Sequence, residues 1–254
     1  AGRAEGCGQH FIRDGAPRAK KKRLKPWQKK KWVIPTVGAE FVWRMEDVLD
    51  VYARPYDPKR PQVCFDEQLV QLIAETRKPL PAKPGQPKRF DYEYKRNGTR
   101  NLFVFFQPLA GQRHVLITER RTKLDYAEAM RCLVDEILPE AETVVVVQDN
   151  LNTHTPAALY EAFAPAEAKR ILDRLEFHYT PEHGSWLNMV EIELSVLSEQ
   201  CLDDRIPDEE TLRREVHAWE ARRNERRATV NWRFSTADAR VKLQRLYPDL
   251  SEPS

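Results

Sequence analysis

The pattern of hydrophobic and polar positions predicts two buried strands that are each followed by polar residues. Residues 144–147 are four consecutive valines. They predict a strand covered on both faces, because β-branched residues suit a pleated sheet and nothing in the run favours water. Residues 61–67, "PQVCFDE", predict a short strand with Val63 and Phe65 on one face. Burial on both faces is thus predicted for the valine run alone, and the short strand is predicted to end in a carboxylate, Asp66.

Further strands are predicted on either side of the valine run. In residues 90–106, "FDYEYKRNGTRNLFVFF", aromatic residues alternate with charged ones, and Asn97-Gly98 is a hairpin turn signal before the chain runs back. Residues 113–120, "RHVLITER", and 175–179, "LEFHY", predict two more strands. Residues 79–87, "PLPAKPGQP", hold four prolines, which argue against regular structure there.

Hydrophobic residues at helical spacing predict the helices of the chain. Antiparallel strands come first along the chain, and helices then alternate with strands. This order predicts an α/β fold or a mixed sheet with helices packed on it. The predicted helices cover residues 40–52, 124–138, 156–163, about 185–201 and 208–227.

Length and composition limit the class of protein. A chain of 254 residues with 41% hydrophobic residues can bury a sizeable core. No apolar run approaches the ~20 residues that cross a bilayer, and the start is charged, so neither a membrane span nor a signal peptide is expected. The four cysteines lie far apart without a CxxC pair, which argues against a zinc site and a disulfide scaffold. We therefore expect a cytoplasmic protein.

Positive charge is concentrated in one short segment. Residues 18–31, "RAKKKRLKPWQKKK", carry nine Lys or Arg residues and no acid. Removing these nine charges from the net charge of +3 leaves the remainder of the chain at −6. With Trp27 and Trp32 nearby, the segment suits a phosphate backbone. A solvated charge run is an equally good interpretation of the pattern.

Two acids follow or end the predicted buried strands, Asp66 in one and Asp149 after the other. If these strands are parallel neighbours, both carboxylates project from the same edge of the sheet, where ligands gather in α/β folds. Two such charges repel unless a cation lies between them, and oxygen ligands select a hard ion such as Mg²⁺. The alternative is that Asp149 and Asn150 only form an Asx turn after the strand.

A third carboxylate is available in the predicted helix at residues 185–201. Glu191 and Glu193 lie on opposite flanks of an apolar stripe formed by Leu187, Val190, Leu194, Leu197 and Cys201. Periodicity does not choose between the two glutamates. Either one can also be an ordinary solvated helix residue.

Three sequence blocks resemble the catalytic blocks of mariner-related transposases, and most closely those of the bacterial insertion-sequence-630 family. They are "CFDE", "VVVVQDNLNTH" and "HYTPEHGSWLNMVEIELSVLSEQCL", which occur in that order. The similarity extends from about Arg23 to Leu250. It implies a ribonuclease H-like α/β fold, in which a mixed five-stranded sheet is flanked by helices. A basic N-terminal arm and a helical C-terminal extension are expected around it.

The resemblance also assigns residues to a metal-binding triad. Asp66 corresponds to the first aspartate of the family, Asp149 to the second, and Glu191 to the glutamate of its "LNPIE"-type motif, which reads "LNMVE" here. The triad implies two Mg²⁺ ions, for which Mn²⁺ can substitute. Glu193 is then a bystander. The 41 residues between Asp149 and Glu191 exceed the mariner spacing, and "APAEAKRILDRL" is the expected extra length.

Three further residues are accessory candidates. Asn150 and His154 fit the family's "DN…H" pattern, and the role favoured for them is orienting Asp149 from outside the metal shell. His183 precedes the glutamate helix. Its side chain either contacts a phosphate or a water molecule, or is an ordinary loop histidine.

The implied function is that of a DDE-type DNA transposase. Such an enzyme hydrolyses DNA at transposon ends and transfers the freed strand to target DNA, so terminal inverted repeats, target DNA and a second copy of the chain are the expected partners. Two alternatives stay open: an inactive or domesticated remnant that only binds DNA, and another ribonuclease H-like nuclease. The expected DNA-binding residues are Arg18, Lys20, Lys21, Lys22, Arg23, Lys25, Lys29, Lys30 and Lys31.

The predicted domain plan has four parts. Residues 1–35 form a basic arm, 36–60 a connecting helix, 61–205 the catalytic core and 206–254 a helical extension. Complete relatives carry helix-turn-helix modules before the arm, and residues 1–17 show no such pattern. We therefore expect a truncated or frame-damaged transposase. When acting, it would be associated with the bacterial nucleoid.

Overall fold

The computed structural model describes residues 38–248, so the basic arm and its DNA-binding candidates lie outside the described residues. Its centre is a five-stranded sheet in the order β3-β2-β1-β4-β5. β1, β2 and β3 are antiparallel, whereas β4 and β5 run parallel to β1. The predicted mixed sheet is confirmed. The strands are β1 (Gln62–Glu75), β2 (Tyr94–Gln107), β3 (Gln112–Thr118), β4 (Val144–Gln148) and β5 (Leu175–Tyr179).

Helices flank the sheet and connect its strands. They are α1 (Ala39–Tyr52), α2 (Lys123–Cys132), α3 (Ala157–Ala162), α4 (Pro165–Leu172), α5 (Val190–Gln200), α6 (Glu209–Glu225) and α7 (Thr236–Lys242). A π-helical turn at Leu133–Ile137 continues α2, and a 3-10 turn at Ser185–Leu187 precedes α5. The prediction of one helix over residues 185–201 is therefore wrong at its start. The "APAEAKRILDRL" segment forms α4. No helix between residues 38 and 248 has the length and apolar character needed to cross a membrane.

The sheet separates two hydrophobic clusters. Val63 and Phe65 point to the cluster that contains the buried residues of α2, α3 and α4, as their shared face predicts. Cys64 points to the other cluster, which contains the buried residues of α1, α5 and α6. Valines 144–147 are all buried and alternate between the two clusters. β4 is therefore covered on both faces, as predicted.

β1 is longer than predicted and does not end at Asp66. It continues to Glu75 because the second half of β1 pairs with β2 in a long antiparallel ribbon. Asn97-Gly98 is not the predicted hairpin turn but lies within β2, opposite a register shift between Gln71 and Ile73. The positive φ of Gly98, 94°, suits a β-bulge there.

The chain between β1 and β2 reverses in the proline-rich segment instead. Leu80 pairs with Arg89 and Lys83 with Gln86 by isolated bridges, so no regular strand forms there, as the prolines predict. Gly85, between the inner pair, has a φ of 76°, which favours glycine. The reversal thus uses Pro84-Gly85 rather than Asn97-Gly98.

Candidate active site

Asp66 lies within β1, and Asp149 directly follows the neighbouring parallel strand β4. The last parallel pair between β1 and β4 is Cys64 with Val147, and each aspartate is two residues further along the chain. β4 has ended at this point, whereas β1 continues beside β2 alone. Asp66, which lies within β1, is therefore next to the carboxyl end of β4. The predicted parallel neighbours are confirmed.

Glu191 is held near Asp66 by the residues that begin α5. The Asn188 side chain donates from Nδ2 to the carbonyl oxygen of Phe65, 2.9 Å away, and Phe65 directly precedes Asp66. The Tyr52 hydroxyl donates to the carbonyl oxygen of Leu187 at 2.7 Å. These two bonds fix the start of α5 against β1 and α1, and they place exposed Glu191 on the side of Asp66.

The charges of Asp149 and Glu191 affect the ionisation of Asp66. Burial, together with the charges of Asp149 and Glu191, raises the pKa of Asp66 to about 7, although the backbone N–H of Glu67 donates to its Oδ1 at 2.7 Å. Among residues 38–248, no Lys or Arg forms an ion pair with any of the three acids. Asp149 is paired with His154, but no Lys or Arg from the described residues relieves the repulsion on Asp66.

The donor set fits a hard divalent cation, because it consists of carboxylate oxygens. Within residues 38–248, however, no group of three His, Cys, Asp or Glu side chains is arranged so that it could hold a metal ion. The site thus has the charge and the donor type that a metal ion needs. Its carboxylates are not drawn together around one point.

Glu193 has the opposite environment, although it lies only two residues from Glu191. Its side chain is 1% exposed and accepts hydrogen bonds from Arg113 at 2.7 and 2.9 Å and from Arg223 at 2.7 and 3.3 Å. Burial opposes ionisation, but the two guanidinium groups outweigh it and hold the pKa of Glu193 below its usual range. A solvated Glu193 is therefore excluded. Its two arginine partners keep Glu193 apart from the other acids. This agrees with the prediction that Glu193 does not belong to the metal-binding triad.

A family profile and several solved structures match this chain. The sequence profile described as "DDE superfamily endonuclease" matches residues 61–213, more than half of the chain. The chain belongs to the DDE superfamily of endonucleases. Among curated proteins, no sequence gives a significant match to this one. The endonuclease prediction is therefore confirmed by the family profile.

Solved structures of the Mos1 transposase are similar to this DDE endonuclease, and one of them shares its fold with a TM-score above 0.5. The Mos1 paired-end complex with the left transposon end is 18% identical, with a TM-score of 0.52 over 79% of this chain and 62% of the Mos1 chain. The Mos1 mariner paired-end complexes with Mn and with Mg are 18% and 16% identical, with TM-scores of 0.48 and 0.47. They cover 79% of this chain, and 61% and 63% of the Mos1 chains. The first match confirms the ribonuclease H-like fold.

His154 connects Asp149 of this DDE endonuclease to a second acid. Nδ1 of the fully buried ring lies 2.5 Å from Oδ1 of Asp149, and Nε2 lies 2.9 Å from Oε1 of Glu67. Burial disfavours the charged ring, but the hydrogen bonds to the two carboxylates outweigh it and raise the pKa of His154 to about 9. The charged imidazole then donates to both acids.

Asn150 and His183 line an open cleft of about 400 Å³ next to Asp149. His183 has a φ of 60°, a left-handed conformation that is uncommon outside glycine, and its side chain is half exposed. A turn from Pro181 to Gly184 imposes this geometry, and a Cβ on Gly184 would lie 2.6 Å from Cγ of Pro181. Asp66 and Glu191 are not among the residues lining this cleft. The roles predicted for Asn150 and His183 stay predictions.

Sequence reasoning missed two residues that shape the site, Glu67 and Asn188. Glu67 lies on the same face of β1 as the apolar residues Val63 and Phe65. An acid on a buried face needs a buried partner, so this alternation could have identified Glu67 from the sequence. Asn188 carries no comparable signal. Its partner is a backbone carbonyl 123 residues earlier in the chain, and that contact exists only in the fold.

Proposed function

We propose that this DDE endonuclease is the catalytic domain of a DNA transposase of the bacterial insertion-sequence-630 type. It would cleave DNA at terminal inverted repeats and join the freed ends to target DNA. The observation that carries the proposal is the parallel pairing of β1 with β4, which puts Asp66 of β1 next to the end of β4 that Asp149 follows. Asn188 ties the segment before Glu191 to β1 at Phe65. No described Lys or Arg pairs with these three acids, which suits metal-assisted phosphodiester chemistry.

Asp66, Asp149 and Glu191 would hold the metal ions. Two bound Mg²⁺ ions, or Mn²⁺ in their place, would favour ionisation of the attacking water or hydroxyl and neutralise charge on the departing 3′ oxygen. The protein itself would supply the carboxylate oxygens and hold them in position, so no nucleophilic side chain is required. His154 would fix Asp149 by its 2.5 Å contact with Oδ1.

The reaction would proceed in two displacements at phosphorus. In the first, the oxygen of a water molecule bonds to phosphorus and the bond to the 3′ oxygen breaks, leaving a 3′-hydroxyl and a 5′-phosphate. In the second, this 3′-hydroxyl attacks a phosphodiester of the target, and the target's own 3′ oxygen leaves with the proton. Both steps need the same positioning of the strand, which a single acidic site provides.

DNA would be held outside the acidic site by positive charge. The basic segment at residues 18–31 suits non-specific contacts with the phosphate backbone. A homodimer on DNA would bring two ends together, and action at the bacterial nucleoid follows from the substrate. This chain spans about 62% of the length of the Mos1 chain that it matches, so the activity of a whole transposase is part of the proposal.

The proposal is tested by nicking of a duplex that carries the inverted repeats flanking the gene, in the presence of Mg²⁺ or Mn²⁺. We expect a nick at the repeat end, and we expect Asp149→Asn to reduce its rate by at least about 100-fold, since one anchoring charge is lost. A matched control is Asp173→Asn, the same change at an exposed ion pair at the end of α4. Equal nicking by wild type and Asp149→Asn would contradict the metal-triad assignment.

The same assay separates the alternatives. Binding of the duplex without metal-dependent nicking would indicate a remnant that only binds DNA. Cleavage of an RNA–DNA hybrid in preference to the repeat duplex would indicate a different ribonuclease H-like nuclease.

A further inference from the structure

Glu67 is a buried acid with one partner among the described residues. Its side chain is 3% exposed and lies on the apolar face of β1, beyond Val63 and Phe65. Asp66 points to the other face, so Glu67 is not a fourth member of the acidic site. A buried carboxylate is costly unless it is hydrogen-bonded, and the only side chain that bonds to the carboxylate of Glu67 within residues 38–248 is that of His154.

The ring of His154 cannot turn freely between its two acids. It stacks on Tyr126 with centroids 4.9 Å apart and meets the edge of Phe65 at 5.3 Å. Its own carbonyl accepts from Nε2 of Gln148 at 3.2 Å, and Oε1 of Gln148 accepts from the Tyr126 hydroxyl at 3.0 Å. The backbone and the ring of His154 are thus both fixed.

The fixed ring of His154 contacts the acidic site at one atom, Oδ1 of Asp149. Nδ1 of His154 meets Oδ1 of Asp149, whose side chain is still 30% exposed. One carboxylate oxygen is therefore committed to the imidazole, and Oδ2 is free of hydrogen bonds from residues 38–248. Glu67 anchors the ring from the far side.

We propose that Glu67 and His154 are positioning residues, which act in series to fix the Asp149 carboxylate so that Oδ2 is presented to a divalent cation. The inference rests on the proposed function, because it takes Asp149 as a metal ligand. Glu67 acts only through His154 and touches neither the cation nor the DNA. Groups that orient metal ligands in this way typically change metal affinity or activity by about 10- to 100-fold when they are removed.

A second histidine in the same fold provides a matched control. His178, on β5, is also buried and also lies between two carboxylates, with Nδ1 2.7 Å from Asp47 and Nε2 3.0 Å from Glu176. Neither of these acids contacts Asp66, Asp149 or Glu191. Removing Asp47 therefore takes one carboxylate away from a buried histidine without touching the proposed chain of contacts.

The experiment measures Mn²⁺ binding to the full 254-residue chain by calorimetry, without DNA, next to metal-dependent nicking. We expect Glu67→Ala to weaken Mn²⁺ binding by about 10- to 100-fold. Glu67→Gln should restore most of the affinity, because the amide oxygen can still accept from Nε2 of His154. Asp47→Ala should bind Mn²⁺ like the wild type, with affinity expressed per folded molecule.

The outcomes distinguish this inference from the proposed function. The positioning role would be overturned if Glu67→Ala bound Mn²⁺ like the wild type, or if Asp47→Ala lost as much affinity as Glu67→Ala. In both cases Asp149→Asn would still abolish binding, so the metal site itself would stand. Unchanged Mn²⁺ binding in Asp149→Asn would instead overturn the metal site itself. If neither Glu67 variant folds, the wild type decides by NMR: Mg²⁺ should shift the ring signals of His154 and not those of His178, and an unshifted His154 would overturn the inference.

Discussion

Two groups of acids lie at the two sides of α5, and they are stabilised in opposite ways. Glu193 is buried with Arg113 and Arg223, whose guanidinium groups supply four hydrogen bonds. Glu191, two residues earlier, faces Asp66 and Asp149, where no described Lys or Arg is paired. Glu191 and Glu193 are thus only two residues apart, but Glu193 has two arginine partners and Glu191 has none among the described residues.

This difference indicates a structural role for Glu193 and a chemical role for the acids on the other side of α5. A buried carboxylate that already has two cationic partners has no oxygen to spare for a metal ion. Burial and the neighbouring charges of Asp149 and Glu191 raise the pKa of Asp66, and a bound cation would relieve this. The comparison therefore yields predictions that treat the two groups as opposites.

The largest expected effect is loss of stability on removing Glu193. In Glu193→Ala the guanidinium of Arg113, whose side chain is fully buried, loses its carboxylate partner. Breaking a buried ion pair from one side typically costs about 3–5 kcal/mol. Urea unfolding followed by circular dichroism measures the change.

Glu191→Ala is the matched control, since the same residue type is removed two positions away on the same helix. Glu191 is exposed and forms no ion pair with residues 38–248. Its removal should change the free energy of unfolding by no more than about 0.5 kcal/mol. Equal losses in the two variants would contradict the division between the groups.

The next effect in size is stabilisation by a divalent cation. Because the ion binds the folded site, Mg²⁺ at a hundred times its dissociation constant should raise the free energy of unfolding by about 2.7 kcal/mol. Thermal or urea unfolding with and without Mg²⁺ measures it. The gain should vanish in Asp149→Asn. It should persist in Arg223→Ala, a variant of the other group, and loss there as well would show that the two groups are not independent.

The sequence predicts the two strands that place the aspartates, because local patterns determine them. The valine run predicts β4, and the alternation at residues 63–65 predicts the faces of β1. Both follow from burial on a pleated strand. The parallel pairing of β1 with β4, which places Asp66 by Asp149, follows from the family resemblance and from the general behaviour of α/β sheets.

What the sequence did not predict depends on contacts between distant residues. The choice between Glu191 and Glu193 could not be made from periodicity, because Arg113 is 80 residues away from Glu193 in the chain. Asn97-Gly98 has the composition of a turn, but pairing with β1 continues through it and makes it a bulge. The long ribbon of β1 and β2 overrides the local signal there.

A smaller effect is expected from the residue that places Glu191. Asn188→Ala removes the donor to the buried carbonyl of Phe65, and an unsatisfied buried group costs about 1–3 kcal/mol. Because the segment before α5 then loses its tie to β1 at Phe65, nicking should fall further than the loss of folded protein explains. Activity per folded molecule, with Gln68→Ala as a control, measures this. Gln68 also bonds to α5, through Ser198, but away from its first turn. Equal losses in both variants would show that general loosening of α5 is the cause.

The smallest expected effect is a difference in pH dependence. The pKa of Glu193 is lowered below 4.5 mainly by Arg113 and Arg223, against the effect of burial. The stabilisation is therefore complete above pH 4.5 and is lost as the pH falls through the lowered pKa, where folded Glu193 takes up its proton. Urea unfolding at a series of pH values should show wild type well above Glu193→Gln at pH 7, with the gap narrowing below pH 4.5. In Arg223→Ala one of the two causes is absent, so the pH-dependent part of the gap should shrink. If the difference in free energy of unfolding stayed constant from pH 7 to pH 3, the arginines would not favour the charged form of Glu193. Glu193 and the acids around Asp66 would then differ in position alone.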